Sequence, residues 1–530
     1  MKTFFILFLF CAANSFAQVN IQWQSYYRGA DSLIDRSTSM ARDNSGNLYI
    51  VGLSSRQTTG TDILTVKYNS AGVFQWARTY NGSDSSSDVG NGIAVDNAGN
   101  VYVIGTARNA NVDAVLIKYD PSGTMQWVKT HNGTGNGYDE FNDVYVDGGG
   151  NIYAVGNIRN TNSDLLAVKY NAAGTLLWQV AYNAGTANED GLSVTVGDSG
   201  NVYVSGSTAS TGSTYVDMLL IKINSSGITQ WGRTYAGVGI GVDEAFSVAT
   251  GDSGNVYITG NSYGGTGTNY DVTTIKYGLD GTRKWVVKYD PPEYQRGAKI
   301  LTDDSGYVYV MAKTGDYTVI KYGSDGEEIW TSHYNGPHNY IDEPNDMCMD
   351  SHGNLYVTGY VEDTTAADGS FYPRTTTVKY SPQGAIVWSI IDTEYSTTWG
   401  MTCDNNGNVY VTGDISAGTS GTQIQTIAYS SSVGISQTYS EIPSGFTLSQ
   451  NYPNPFNPST KIKFEIPAKS LVKLAVYDIT GREVATLVNS QLNAGVYEYA
   501  FDAQNLSTGV YFYKLVTEGM SETKKMLLVK

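Results

Sequence analysis

Cysteine is almost missing from this 530-residue chain: there are three, and beyond the first seventeen residues only Cys348 and Cys403. A disulfide framework is therefore excluded, and the fold must be held by its apolar core. Histidine is as scarce, with four in all. H-E-x-x-H, a calcium-loop D-x-D-x-D-G, a G-x-S-x-G elbow and a phosphate-binding glycine loop are all absent from the sequence. Positive charge is short too, with 33 Lys and Arg against 50 Asp and Glu and a net charge of −17. That argues against nucleic acid or an anionic membrane as partner, because phosphate binding needs a basic surface. Long apolar runs are missing apart from Phe4 to Ala13, which is too short to cross a bilayer. Charged residues make up only 16%, while 59 Gly and 41 Tyr suit strands joined by tight turns.

The first residues carry a charge at Lys2, the apolar run and Ser15-Phe16-Ala17 before Gln18. This is the layout of a secretory signal peptide over 1–17, with cleavage expected after Ala17. A lipid anchor on Cys11 is disfavoured by the bulky Phe10 before it.

The body of the chain is repetitive. A string of the form D-x-x-G-N-V-Y-V-x-G recurs with its Asn position at Asn47, Asn100, Asn151, Asn201, Asn255, Tyr307, Asn354 and Asn408, about fifty residues apart. Each copy is followed by a second apolar segment, a Gly-containing turn and a Trp segment. In one unit this predicts strand a over 92–95, b over 101–105, c over 114–119 and d over 125–130, which is one four-stranded propeller blade. The a–b turn, Asp96-Asn97-Ala98-Gly99-Asn100, has residues that close tight turns. Strands b and c are apolar almost continuously, so both of their faces expect cover.

Trp recurs in strand d at Trp76, Trp127, Trp178, Trp231, Trp285, Trp330 and Trp388, but the last unit, ending at Ile427-Ala428-Tyr429, has none. An orphan Trp strand, Ile21 to Tyr27, stands at the other end of the array. Pairing of the two would leave no open sheet edge at the seam. The expected fold is all-β: an eight-bladed propeller over 18–430 closed by an N-terminal outer strand, with seven blades as the rival count. The unit resembles the bacterial β-propeller repeats known as SBBP repeats, and more loosely the NHL repeat. That resemblance implies a propeller and is nearly silent on activity.

A Ser-rich stretch over 431–445 reads as a linker. Beyond it, over 446–530, strand candidates at 461–466, 472–477, 483–487, 496–501, 510–516 and 524–529 predict a small β-sandwich. Asn451-Tyr452-Pro453-Asn454-Pro455-Phe456-Asn457-Pro458, Val476-Tyr477-Asp478-Ile479-Thr480-Gly481-Arg482, Ser507-Thr508-Gly509-Val510-Tyr511-Phe512 and Lys524-Lys525-Met526 follow in order. In these motifs the segment is similar to the type A sorting domain of type IX secretion. The resemblance implies passage through the periplasm, the type IX machinery as partner, and residence outside the cell or on its surface. A carbohydrate-binding or fibronectin-like module is the bland alternative.

Chemistry is harder to find. Gly197-Asp198-Ser199-Gly200-Asn201 and Gly251-Asp252-Ser253-Gly254-Asn255 superficially resemble a serine-protease nucleophile motif, but both occupy the a–b turn register and no His accompanies them. Lys67, Lys118, Lys169, Lys222, Lys276, Lys321 and Lys379 recur in strand c, usually five residues after an Asp. Recurrence in nearly every unit favours pairing across neighbouring blades over catalysis. An acid lies before most a–b turns, at Asp35, Asp88, Asp139, Glu189, Asp243 and Asp342, with Gln295 and Ser396 as exceptions. These six are the candidate ligand-binding residues at one mouth of the channel; the alternative is that each satisfies backbone N–H groups in its own loop. Tyr263, Tyr270, Tyr340, Tyr360 and Trp399 are aromatics outside the repeat pattern.

The expected function is binding of a glycan or protein by a secreted or cell-surface propeller, without catalysis. A polysaccharide-active hydrolase or lyase using two mouth carboxylates is the alternative, and a spacer without ligand a third. No catalytic residue, metal or cofactor is assigned.

Overall fold

Every named element of the computed structural model is a β-strand. The structure describes residues 19–29, 32–56, 60–84, 87–185, 188–209, 215–238, 241–251, 254–264, 270–290, 296–338, 340–363, 372–416, 421–430, 435–439, 443–492, 494–503, 506–517 and 519–530. The leader with Ala17, and Gln295, Asp252 and Ser253, lie outside them. The described chain falls into two compact units, one over Ile21–Tyr429 and one containing Ser430–Lys530.

The larger unit is built from the repeat. In the second copy strand a is Val89–Val95, b Val101–Arg108, c Val112–Tyr119 and d Met125–His131, joined in the order a-b-c-d. Strands b and c are buried along nearly their whole length, while d is largely exposed. This is the burial that near-continuous apolar runs demand when sheets stack face to face. Six copies form separate four-stranded sheets of this kind. The first and last copies share one sheet, in which Thr422–Ser430 touches strand a of the first copy through a single bridge, Ile34↔Thr422. The orphan strand Asn20–Tyr27 pairs with Thr422–Ser430, where the missing Trp strand belongs.

Two devices fasten each copy to the next. Every strand a carries a β-bulge, as between Gly90 and Gly92, and a bulged side chain can reach the neighbouring sheet. Asn91 Nδ2 donates to Phe141 O at 2.9 Å, Asn142 Nδ2 to Gly191 O at 2.9 Å and Asn345 Nδ2 to Thr398 O at 2.8 Å. At the outer side, Trp76 Nε1 and Lys67 Nζ both donate to Pro121 O, at 3.2 and 2.9 Å, in the next copy's c–d turn. Gly123 must be glycine there, since a Cβ would come within 2.7 Å of the Trp76 ring. Trp23 repeats this on the first copy: its Nε1 donates to Ser70 O at 3.2 Å, over Gly72.

Lys67, Lys118, Lys222 and Lys276 thus cross between copies, but to a backbone carbonyl and not to a charge. The same ammonium lies over a tyrosine ring of its own copy, as Lys67 over Tyr49 at 5.0 Å. Carbonyl and π-face together compensate a cation that burial would penalise.

The second unit is a sandwich of two four-stranded sheets. Its strands Ser459–Ile466, Ser470–Tyr477, Glu483–Leu492, Gly495–Asp502, Gly509–Thr517 and Met520–Leu528 fall at the six expected positions. Their alternate residues, among them Ile462, Phe464, Leu474, Val476, Tyr513, Leu515 and Met526, form one buried core. The proline-rich segment is tied down from both sides. Asn451 Nδ2 donates to Pro453 O and Thr460 Oγ1, each at 3.0 Å, and Phe456, 2% exposed, enters the core. One segment corrects the sequence reading. Ile435–Tyr439, inside the stretch expected as linker, is a strand paired with Gly495–Asp502; its β-forming Ile, Thr and Tyr prevail over the Ser-rich flanks.

Candidate functional site

The six acids expected at a mouth are all buried, from 0 to 3% exposed. Each carboxylate is turned into its own loops. Asp88 accepts from Gly82 N at 2.7 Å and Arg108 N at 2.6 Å, and Asp243 from Gly237 N at 2.7 Å and Tyr263 N at 2.6 Å. Asp139 takes Gly133 N and Arg159 N, Glu189 takes Ala184 N and Thr208 Oγ1, Asp342 takes Gly336 N, and Asp35 takes Gly29 N. Asp88, Asp139, Glu189 and Asp243 thereby clamp the loop entering strand a to the end of strand b. Burial pushes the Asp342 carboxyl up to about 6, against the opposing Gly336 amide.

Strand alternation turns the next residue the other way. Glu140, Asp190 and Glu244, each one position after a clamp acid, lie close enough on successive strands a to sense one another. All three carboxyls are raised, first by burial; Arg296 on the next strand opposes the rise at Glu244. Farther along the same strands, Lys299 bonds Asp346. Among the described residues no group of His, Cys, Asp or Glu is placed to hold a metal ion.

The irregular aromatics do not gather. Tyr263 and Tyr270 meet edge to face at 5.7 Å in the fifth copy, Tyr360 belongs to the seventh, and Trp399, 43% exposed, donates to Asp414 at 2.9 Å in the eighth. Tyr340 is exposed in the loop before the seventh. His131 is packed against Tyr170, 2.8 Å from its hydroxyl. Cys348 and Cys403 are both free, and contact between the thiols adds to burial in pushing Cys348 up.

A departure from the repeat lies at the opposite end of the strands, in the a–b turns. In six copies the turn opens with Asp43, Asp96, Asp147, Asp303, Asp350 or Asp404. Asp96 shows the pattern: its carboxylate accepts from Ala98 N at 2.9 Å, Asn100 N at 2.8 Å, Asn100 Nδ2 at 2.7 Å and Tyr102 OH at 3.0 Å. At Asp147 burial raises the carboxyl, but donors from Asn151, Tyr153 and Gly149 outweigh it and hold the group below its ordinary value.

In the fourth copy Gly197 takes that place. The turn backbone is unchanged, with Gly197 N to Asn201 O at 2.9 Å and Gly200 N to Gly197 O at 2.8 Å. The corresponding donors are Ser199 N, Asn201 N, Asn201 Nδ2 and Tyr203 OH, and they have no acceptor among the described residues. Around them opens a cavity of about 500 Å³, lined also by Asp198, Thr250, Leu279, Thr302, Asp303 and Asp304. Gly251 makes the same replacement in the fifth copy, but there the Tyr257 ring closes in, 2.7 Å from where a Cβ would stand. The sequence reading treated both GDSG strings as turns and missed the cavity; the available signal was glycine in the aspartate slot.

Comparison with known proteins bears on the two units separately. Residues 450–530 match the family described as Secretion system C-terminal sorting domain, and residues 75–111 the family described as Beta-propeller repeat, the SBBP type. No curated protein matches the chain. Among solved structures, Sqt1 from Chaetomium thermophilum is 8% identical over 77% of this chain and 99% of its own, with a TM-score of 0.51. The same protein bound to the N-terminus of ribosomal protein L10 gives 9%, 76%, 98% and 0.50. The β-propeller domain of the Trilobed protease from Pyrococcus furiosus is 8% identical over 64% of this chain and 93% of its own, at 0.37. At such identities the likeness concerns fold alone.

Proposed function

Since the chain joins SBBP-type propeller repeats to a type IX C-terminal sorting domain, we propose that it is an eight-bladed propeller. In this reading it passes through the periplasm, is sent across the outer membrane, and binds a glycan or protein ligand there without turning it over. The sorting domain implies secretion and engagement of the secretion machinery. Support for eight blades and a closed ring comes from Trp23, which treats the first copy as Trp76, Trp127, Trp178, Trp231, Trp285 and Trp330 treat their successors.

The observation that carries the binding reading is how the charged groups of the repeat are used. Strand-c lysines, turn aspartates and the six clamp acids are committed to holding copies and loops together. At the a–b turn of the fourth copy the repeat is broken by an open cavity, and a small-molecule site is a concavity with a few convergent polar groups. In this reading the six acids shape the loops of one face and do not themselves touch ligand. A glycan array on the purified chain, with a reducing-end release assay beside it, tests the proposal: retention without release is expected, and release would replace it.

The second reading, a polysaccharide-active hydrolase or lyase, draws on the raised carboxyls of Glu140, Asp190 and Glu244, since a raised carboxyl can serve as a general acid. It requires turnover that disappears when two of the three are changed to amides. Absence of any ligand on the array would leave the spacer reading.

A further inference from the structure

We propose that the cavity at Gly197 binds the carboxylate of an acidic sugar, a uronate, in the place where six other copies carry their own aspartate. The inference rests on the reading of the chain as a ligand-binding propeller and names the ligand class for this cavity.

The repeat builds a carboxylate cradle from two backbone amides, an asparagine amide and a tyrosine hydroxyl. The fourth copy keeps the turn and all four donors and omits the carboxylate. Tyr203 is 1% exposed, yet its hydroxyl faces the cavity without an acceptor. These donors open onto the cavity, where water can meet them, so the gain on binding is that of exchanging water for a charged acceptor, about 1.5–3 kcal/mol for a hydrogen bond of this kind. A carboxylate meets this geometry because it can accept several N–H and O–H donors at once.

Charge points the same way. In copies with an aspartate, the strand-c lysine is stabilised by it, as Lys67 by Asp43, Lys321 by Asp303 and Lys379 by Asp350. Lys222, in the fourth copy, lies 5.7 Å over the Tyr203 ring and has no carboxylate in its own turn. Asp280 stabilises it instead, and a ligand carboxylate would add to that from the place Asp43 holds beside Lys67.

The rest of the cavity selects a sugar over an acidic peptide. Asp198 and Asp304 are exposed on its rim, placed to accept from the hydroxyls of a sugar; their charge opposes a ligand of several carboxylates more strongly than a uronate with one. Leu279, half exposed, offers an apolar wall for the C–H face of a ring. One uronate unit carries a single carboxylate and several hydroxyls, which is the complement of these walls.

Nature's other copies supply the blocking variant. A Cβ built on Gly197 meets nothing nearer than Tyr203 at 3.5 Å, so Gly197→Asp fills the cradle without strain. The test is calorimetric titration of the full chain with D-glucuronate and D-galacturonate, their methyl esters, D-glucose and a tri-glutamate peptide. A uronate should bind, with its ester and glucose weaker by about tenfold or more. Gly197→Asp should cut uronate affinity by a similar factor while raising the melting temperature. Tyr203→Phe, which removes one donor and keeps the packing, should weaken binding by roughly three- to tenfold. Equal affinity for acid and ester, undiminished binding to Gly197→Asp, peptide binding in preference to uronate, or no heat with either uronate would each overturn the inference. None of these results touches the broader reading, which falls if the glycan array retains no ligand or the release assay shows turnover.

Discussion

The a–b turn at Gly197 and the turn at Asp350 have the same backbone hydrogen bonds and differ by one carboxylate. At Asp350 that group is 5% exposed and accepts from His352 N, Asn354 N, Asn354 Nδ2 and Tyr356 OH; at Gly197 the same kinds of donor open onto a cavity. One turn spends its polar groups on stability, and the other holds them in reserve. In a molecule made of copies, the position where a copy forgoes a stabilising contact is a better guide to function than the contacts all copies share.

The comparison can be broken by exchanging the side chains. Asp350→Ala strands four donors and should cost about 3 kcal/mol in urea unfolding of the full chain; a loss below about 1 kcal/mol would mean that the carboxylate is not what holds these turns. The converse change, Gly197→Asp, should add about 1 kcal/mol in the same measurement, since the donors already stand in place. Gly251→Asp sharpens the contrast, because its Cβ would collide with the Tyr257 ring at 2.7 Å. No gain, or a loss of about 1 kcal/mol, is expected there.

A further contrast separates the acids at the two ends of the strands by pH. Asp342 is raised from 3.8 to about 6, so its folded form favours the proton. The stability this brings is complete below 3.8 and is lost as the pH rises through about 6. Asp147 is lowered, so its contribution is present above the unfolded value and is lost as the pH falls through the folded one. Relative to Asp342→Asn, the parent chain should therefore weaken between about pH 4 and pH 6; relative to Asp147→Asn, it should weaken only below about pH 4. Melting temperatures across this range check both signs.

The sequence carried the architecture because the architecture is repeated. Strands b and c could be placed from their apolar runs, and Trp23 from its misplaced copy of the Trp segment, since each pattern is enforced by burial many times over. The candidate site was less legible for the same reason. Asp88 and Asp139 stood out by recurring, yet recurrence marks what every copy needs, and they serve as clamps. Glu140 and Asp190 were passed over beside them, though alternation puts them on the other face. Gly197 is harder still: a search for chemistry looks for groups that are present, and here the signal is a missing one. Ile435–Tyr439 was hidden by Ser-rich flanks, and its partner strand lies some sixty residues on, as Ile435↔Tyr499 shows.

The pairing of Asn20–Tyr27 with Thr422–Ser430 also sets an order of events. The first strand to be made has as its partner the last strand of the array, so it waits through synthesis of nearly four hundred residues, roughly half a minute or more at ordinary rates. A chain stopped anywhere before residue 422 would leave Asn20–Tyr27 without that partner, open to pairing with other chains. The seam thus works as a completeness check: Asn20–Tyr27 finds its partner only after Thr422–Ser430 has been made, and the segment that matches the sorting-domain family lies beyond that point in the chain.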